Sequence, residues 1–179
     1  MTAPTPASPR YDRFSVLLHW LMALLLLAQL AMGLWMTGLP KDASGIRANW
    51  FNIHKSAGMV LGLLVIVRLV WAAMRPRVAD LALPRTQHAL ALANHRLLYL
   101  FMLMAPASGF LGSVYSGYPI RFFGMKLPKL AERWDSAKAF FSIVHEVSVY
   151  AMVVLIAAHL LAFVHHQFIL KDGLIRRMR

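Results

Sequence analysis

Lys138 to His166 reads KAFFSIVHEVSVYAMVVLIAAHLLAFVHH, and the two histidines inside this apolar run, His145 and His159, decide how the rest of the chain is read. On a helix turning 100° per residue, the fourteen steps between them return to within roughly 40° of the starting direction and climb about 21 Å. Both rings therefore leave one face at different depths. That climb is about two-thirds of a roughly 30 Å hydrocarbon core, so a single helix offers one imidazole near each membrane surface. An ionisable group inside a membrane is expensive and usually functional.

The composition fits that setting. Of 179 residues 59% are hydrophobic and only 15% charged, against roughly 25% charged in an average soluble domain, and the mean hydropathy is +0.58. Four windows are long and apolar enough to span, at about 14–37, 51–74, 95–115 and 138–166. Their length and period predict helices, because a chain in lipid must satisfy its backbone internally and barrel strands are much shorter. The expected fold class is thus all-α: one integral membrane four-helix bundle over 14–170, a disordered N-terminal arm over 1–13, and a basic tail over 171–179. The first window follows Arg10 and Arg13, as a signal peptide would, but it exceeds a signal h-region and no convincing cleavage site follows. It reads as a retained helix.

An even number of spans puts both termini on one side. With the termini inside, eleven Lys and Arg fall on the inner side and eight on the outer, Lys41, Arg47, Lys55, Arg121, Lys126, Lys129, Arg133 and Lys138. The excess favours cytoplasmic termini. Once acids are assigned, the two sides carry +8 and +4, so the outer face is itself basic. Cysteine is absent, which removes thiolate metal sites, iron–sulfur ligation and covalent c-type haem, and leaves histidine as the strong soft-metal ligand.

Depth assigns partners to the two histidines. His19 lies about five residues inside the inner edge of the first window and His159 about seven inside that of the last, so both rings sit roughly 7 to 10 Å deep. His54, near the outer start of the second window, is matched by His145. A flat macrocycle held between two imidazoles is the simplest tenant of such a pair, because haem iron takes one axial ligand on each face. With both axial positions filled, the centre passes electrons and does not bind oxygen at the metal. The competing reading is that these rings are polar glue between helices, which four histidines in two depth-matched pairs disfavour.

Other residues carry two readings each. Gly58 and Gly62 form a GxxxG one turn beyond His54 and could admit a porphyrin plane or a neighbouring backbone. Arg68, fourteen residues after His54, lies at the inner level, where it could neutralise a haem propionate or snorkel to the surface. The third window supplies no ligand at mid-depth, is loosened by Pro106, Gly109 and Gly112, and closes the bundle. Tryptophans 20, 35, 50, 71 and 134 form an interfacial belt.

With His19-Trp20, His54, His145, His159, the loop segment GYPIRFFG and the tail HHQFILKDGLIRRM in view, the whole chain resembles the bacterial cytochrome b561 family. The resemblance implies a protein of the bacterial inner membrane with two b-type haems, ligated by His19 with His159 and by His54 with His145. At least one branch of that family is a superoxide oxidase, taking electrons from superoxide at the outer face and reducing ubiquinone near the inner face. The sequence is compatible with that branch.

The residues bear on such a reaction. Outer cations outnumber outer acids, and a basic mouth raises the encounter rate of a small anion by about tenfold or more at low salt, although such charges also serve as a solvated face or contact lipid head groups. At the inner end His166 follows His159 by two turns and could deliver protons to a quinone, and the family motif makes it the better candidate of the His165-His166 pair. His95, and more weakly His88 and Arg85, are further candidates, all of which could equally meet head groups. The expected partners are membrane lipid, a quinone, and superoxide or another electron donor, with no nucleic acid. Two alternatives stand beside this reading: a b-type electron carrier or membrane anchor for a partner dehydrogenase or reductase, and a small metal or proton transporter, which the scarcity of intramembrane carboxylates disfavours.

Overall fold

The computed structural model describes residues 10–76, 78 and 83–178. Most of the expected disordered arm, together with Arg77, Asp80 and Arg179, lies outside the described residues. Four long helices make up the chain: α1 Arg13–Thr37, α2 Ile46–Met74, α3 Arg85–Val114 and α4 Asp135–Val164. A two-stranded antiparallel hairpin, β1 Arg121–Phe122 and β2 Met125–Lys126, stands between α3 and α4. After α4 the chain makes a π-helical turn, His165–Leu170, and a short 3₁₀ turn, Leu174–Met178.

All four helices are long and apolar enough to cross a membrane. Their outward faces carry large exposed apolar side chains such as Leu24, Leu63, Val154 and Leu161. In water that surface would be untenable for a monomer. In lipid it is the expected exterior, and the chain is an all-α, multi-pass membrane four-helix bundle.

Local chemistry sets the helix ends. Asp12 caps α1, accepting from the Ser15 backbone N–H at 2.9 Å and its hydroxyl at 2.6 Å, an arrangement worth about 1 kcal/mol. Asp12 also accepts from Trp71 Nε1 at 3.1 Å, which ties the start of α1 to the end of α2. Burial alone would raise its pKa, but the Ser15 and Trp71 hydrogen bonds outweigh that and hold the carboxyl below its ordinary value. At the other end of α1 the Arg47 guanidinium donates to the carbonyls of Met36, Thr37 and Leu39, groups that a helix C-terminus leaves unsatisfied. Gly45, at φ +74°, then turns the chain into α2.

α3 begins at Arg85, ten residues ahead of its apolar window, and continues through Pro106 without a break. Gly62 of α2 explains how the proline is accommodated: a Cβ there would stand 3.2 and 3.3 Å from Pro106 Cβ and Cγ. Gly58 faces the Gln29 amide in the same way. The two glycines therefore make room for side chains of the neighbouring helices, Gln29 and Pro106, and among the described residues neither meets a neighbouring backbone.

Each helix packs on the next in sequence, most extensively α3 on α4. Among the described residues α1 and α2 make at most isolated backbone approaches to α4. Met22, Leu26, Leu61, Val65, Ala105 and Met152 form the buried core. Met152 lies seven residues from both His145 and His159, so this core fills the level between the two histidine pairs.

Candidate cofactor site

Both histidine pairs meet across the loosely packed side of the bundle. His19 of α1 faces His159 of α4 with ring centroids 6.3 Å apart and planes at 64°. His54 of α2 faces His145 of α4, also at 6.3 Å, with planes at 90°. The fixed rise of a helix brings these rings to matched depths.

The outer pair is held by small residues. His145 Nδ1 lies 2.7 Å from the Ala105 carbonyl oxygen, which can only accept, so Nδ1 carries the proton and Nε2 keeps its lone pair. This approach requires glycine at 109, because a Cβ there would stand 3.0 Å from Nδ1 and 3.2 Å from Cε1 of His145. Gly33 gives the same room to His54, whose Cε1 would lie 3.3 Å from an added Cβ. Gln29 Nε2 donates to the His54 backbone carbonyl at 2.9 Å. His54 Nδ1 and Gln29 Oε1 are both buried without a hydrogen-bond partner.

The inner pair sits beside a cation. Both terminal nitrogens of Arg68 lie 3.2 Å from His19 Nδ1, and since guanidinium only donates, that nitrogen accepts and Nε2 carries the ring proton. Ligation through Nε2 requires Arg68 to turn from His19 to an anionic group, which frees Nδ1 to take the proton. Arg68 Nε donates to Tyr99 Oη at 2.9 Å. Arg68 thus turns into the bundle and does not snorkel outward. His95 is brought within 5.5 Å of His159, ring to ring. By contrast His88 and Arg85 stand at exposed positions in the first turn of α3. His166 lies in the π-helical turn, half-buried, with Nδ1 at hydrogen-bonding distance from Asp172 Oδ2.

The outer face is organised around Ser56, one of the most buried residues of the chain and two residues from His54. Its hydroxyl accepts from the Phe123 N–H at 2.9 Å, and it lies 2.8 Å from the Asn52 carbonyl and 3.2 Å from that of Arg121. The hairpin is thereby docked onto α2. Phe123 and Gly124 form its tip at φ +45° and +93°. Arg121 and Lys126 are directly paired across it. Of the other outer cations, Lys129 pairs with Glu132 and Arg133 with Asp135, while Arg47 is spent on the end of α1.

Three observations test whether these residues suit a planar macrocycle. The 6.3 Å between ring centres matches two imidazoles reaching one metal, each contributing a bond of about 2 Å plus its own ring radius. Both pairs bridge helices whose backbones are not in close contact. At the inner level the hydrogen-bond partners of Arg68, His19 and Tyr99, are neutral, so an anionic group there would compensate an intramembrane cation. The residues fit a haem and its propionates.

Gly33, Gly109, Gln29 and Tyr99 were not singled out as site residues by sequence reasoning. The sequence expectation for Gly109 is a loosened α3, and the structure gives it a steric role instead. The one available signal was position: Gly109 follows Ala105 by one helical turn, and Gly33 follows Gln29 likewise.

Fold and site together define a class, a multi-pass membrane bundle whose helices present two facing histidine pairs. The chain belongs to the prokaryotic cytochrome b561 family, whose model matches residues 10–179. Relatives include cytochrome b561 homolog 2 of Escherichia coli K12, 31% identical over 97% of this chain and 93% of the relative. Cytochrome b561 homolog 1 of the same organism is 27% identical over 94% of this chain and 96% of the relative. The protein is accordingly a membrane electron-transfer protein of the b-haem type.

Proposed function

We propose that the chain is a superoxide:ubiquinone oxidoreductase of the bacterial inner membrane, with cytoplasmic termini, in which His19 with His159 and His54 with His145 hold two b haems. When bound, the haems supply a one-electron path between the two membrane faces. The chain supplies capture, positioning and protons.

The observation that carries the choice of donor is the pairing of Arg121 with Lys126 on the hairpin docked beside His54 and Lys55. Like charges directly opposite in a hairpin are destabilising, and a small anion between them relieves that repulsion. Lys55, Arg121 and Lys126 draw superoxide to the outer mouth, where it gives up one electron and leaves as dioxygen. Arg68 is the residue that would hold a haem propionate at the inner level, which would relieve its own uncompensated charge.

Ubiquinone takes up two electrons and two protons, so two superoxide anions are consumed for each ubiquinol formed. Asp172 orients His166 through Nδ1, leaving Nε2 to pass a proton to a quinone oxygen and recover it from inner water. His95, whose ring lies 5.5 Å from that of His159, is the second candidate for contact with the quinone.

The test is rapid mixing of the purified, oxidised protein with superoxide at low and high salt, with and without a soluble ubiquinone, followed through the visible spectrum. Fast growth of a reduced b-haem band, reoxidised by quinone and slowed by salt, is expected. A band reducible by dithionite but indifferent to superoxide refutes the proposed donor. A second reading, a carrier serving a partner subunit, is favoured by the large apolar side chains exposed around the hairpin, Tyr118, Phe123 and Met125, and predicts copurification of that partner.

A further inference from the structure

The outer pair is unequal in its support. His145 donates Nδ1–H to the Ala105 carbonyl, the kind of outer contact that fixes the tautomer and orientation of a metal-binding imidazole. Among the described residues the His54 ring has no such partner, and its Nδ1 is buried. Leaving a buried polar nitrogen unsatisfied costs about 1–3 kcal/mol, so a missing partner is to be sought nearby.

Gln29 supplies one. It is buried at 8% exposure, and its Oε1, which can only accept, is itself buried without a partner. Its amide nitrogen is 2.9 Å from the backbone carbonyl of His54, which sets the orientation of the amide: reversing it would bring two carbonyl oxygens together. Gly33, one turn along α1, packs against the His54 ring, where an added Cβ would stand 3.3 Å from Cε1 and 3.9 Å from Nδ1. Adjacent turns of α1 thus hold the backbone of His54 and its ring. The unpartnered Oε1 of Gln29 and the unpartnered Nδ1 of His54 are thus both buried where α1 packs on α2.

We propose that Gln29 is the positioning residue for His54, its Oε1 accepting from His54 Nδ1–H through one bound water, so that Nε2 is the nitrogen presented to the metal. A polar site bounded by two unsatisfied groups is where a buried water is held. This inference rests on the reading of His54 as a haem ligand. An acceptor on Nδ1–H makes the imidazole a stronger donor to iron and favours the oxidised state.

The experiment is a redox titration of the full-length, haem-loaded protein, which the proposal expects to give two midpoints, together with low-temperature EPR of the oxidised form. Gln29→Leu removes the acceptor and is expected to raise one midpoint by about 59 mV, the one-electron equivalent of a tenfold change in the oxidised-to-reduced ratio, and to shift the g values of that haem alone. Gln29→Glu keeps the acceptor and adds negative charge to it, and the same midpoint should lie below that of the wild type. Unmoved midpoints in Gln29→Leu overturn the proposal, as does an equal shift of both, which marks a general loss of packing. If Gln29→Leu does not assemble, Gln29→Glu decides, since a lowered midpoint supports the proposal and an unchanged one overturns it. His54→Ala separates the premise from the inference: if both haems remain, the ligand reading of His54 fails and the Gln29 proposal falls with it, whereas loss of one haem leaves Gln29 to be judged on its own variants.

Discussion

Replacing Gly109 by alanine places one methyl group 3.0 Å from Nδ1 and 3.2 Å from Cε1 of His145. The ring has little room to retreat, because Nδ1 is bound to the Ala105 carbonyl at 2.7 Å. Overpacking of this kind costs about 1–3 kcal/mol, and a lost hydrogen bond adds about 1 kcal/mol. Alanine returns about 1 kcal/mol of helix propensity, leaving a net penalty of about 2 kcal/mol on the ligating geometry. That corresponds to roughly 30-fold weaker haem retention, within the range seen when outer contacts of a metal ligand are removed. The assay is haem per protein by pyridine haemochrome, with the rate of haem loss to an acceptor apoprotein. Gly112→Ala is the control: its Cβ would meet Phe141 and Ser142 at 3.6–3.9 Å, an ordinary contact, and haem should be retained. The steric argument is refuted if Gly109→Ala keeps its haem and its rate of loss.

Arg68→Ala is expected to lower haem content about tenfold, with Arg68→Lys recovering part of it, because the charge returns but the planar fork does not; spectroscopic haem quantification checks this. Arg121→Gln with Lys126→Gln should slow reduction by superoxide about tenfold at low salt and converge with the wild type at high salt, as read by stopped flow. Asp12 has a depressed pKa, so its stabilisation is complete above the unfolded carboxyl value of about 4 and is lost as pH falls through the lower folded value. Thermal unfolding in detergent should therefore show acid destabilisation below about pH 4 that is weaker in Asp12→Asn. At neutral pH, Asp12→Ala should cost about 1 kcal/mol.

The matched depths of the histidines were legible because a helix rises by a fixed amount per residue, so counting from each end of His19, His54, His145 and His159 gives their levels. The rotation of one helix against another is not encoded in that count. Gly109 and Gly33 face imidazoles only because α3 and α1 are turned to present them, and apolar helices give little warning of this, since both their lipid and core faces are hydrophobic. Arg68 shows the same limit: its depth was readable, but its choice between His19 and the membrane surface depended on Tyr99 standing on a neighbouring helix. The early start of α3 escaped notice because its first turns are polar, whereas the span was sought by its apolar run. The segment GYPIRFFG was noted as a motif, yet its folding into a hairpin clasped by Ser56 depends on a residue more than sixty positions earlier.

The six side chains between the histidine levels, Met22, Leu26, Leu61, Val65, Ala105 and Met152, contain no ionisable group. Such an apolar layer behaves as the insulator of a capacitor, across which electrons can tunnel while these six side chains carry no proton. On the proposed route between two haems, negative charge crosses this layer over about 21 Å of a roughly 30 Å core. At about 2.3 kcal/mol per charge per 100 mV over the full thickness, each electron exchanges about 1.6 kcal/mol with a 100 mV membrane potential. An energised membrane thus sets the electrical gradient on this step, opposing electrons that run toward its negative side and assisting those that return.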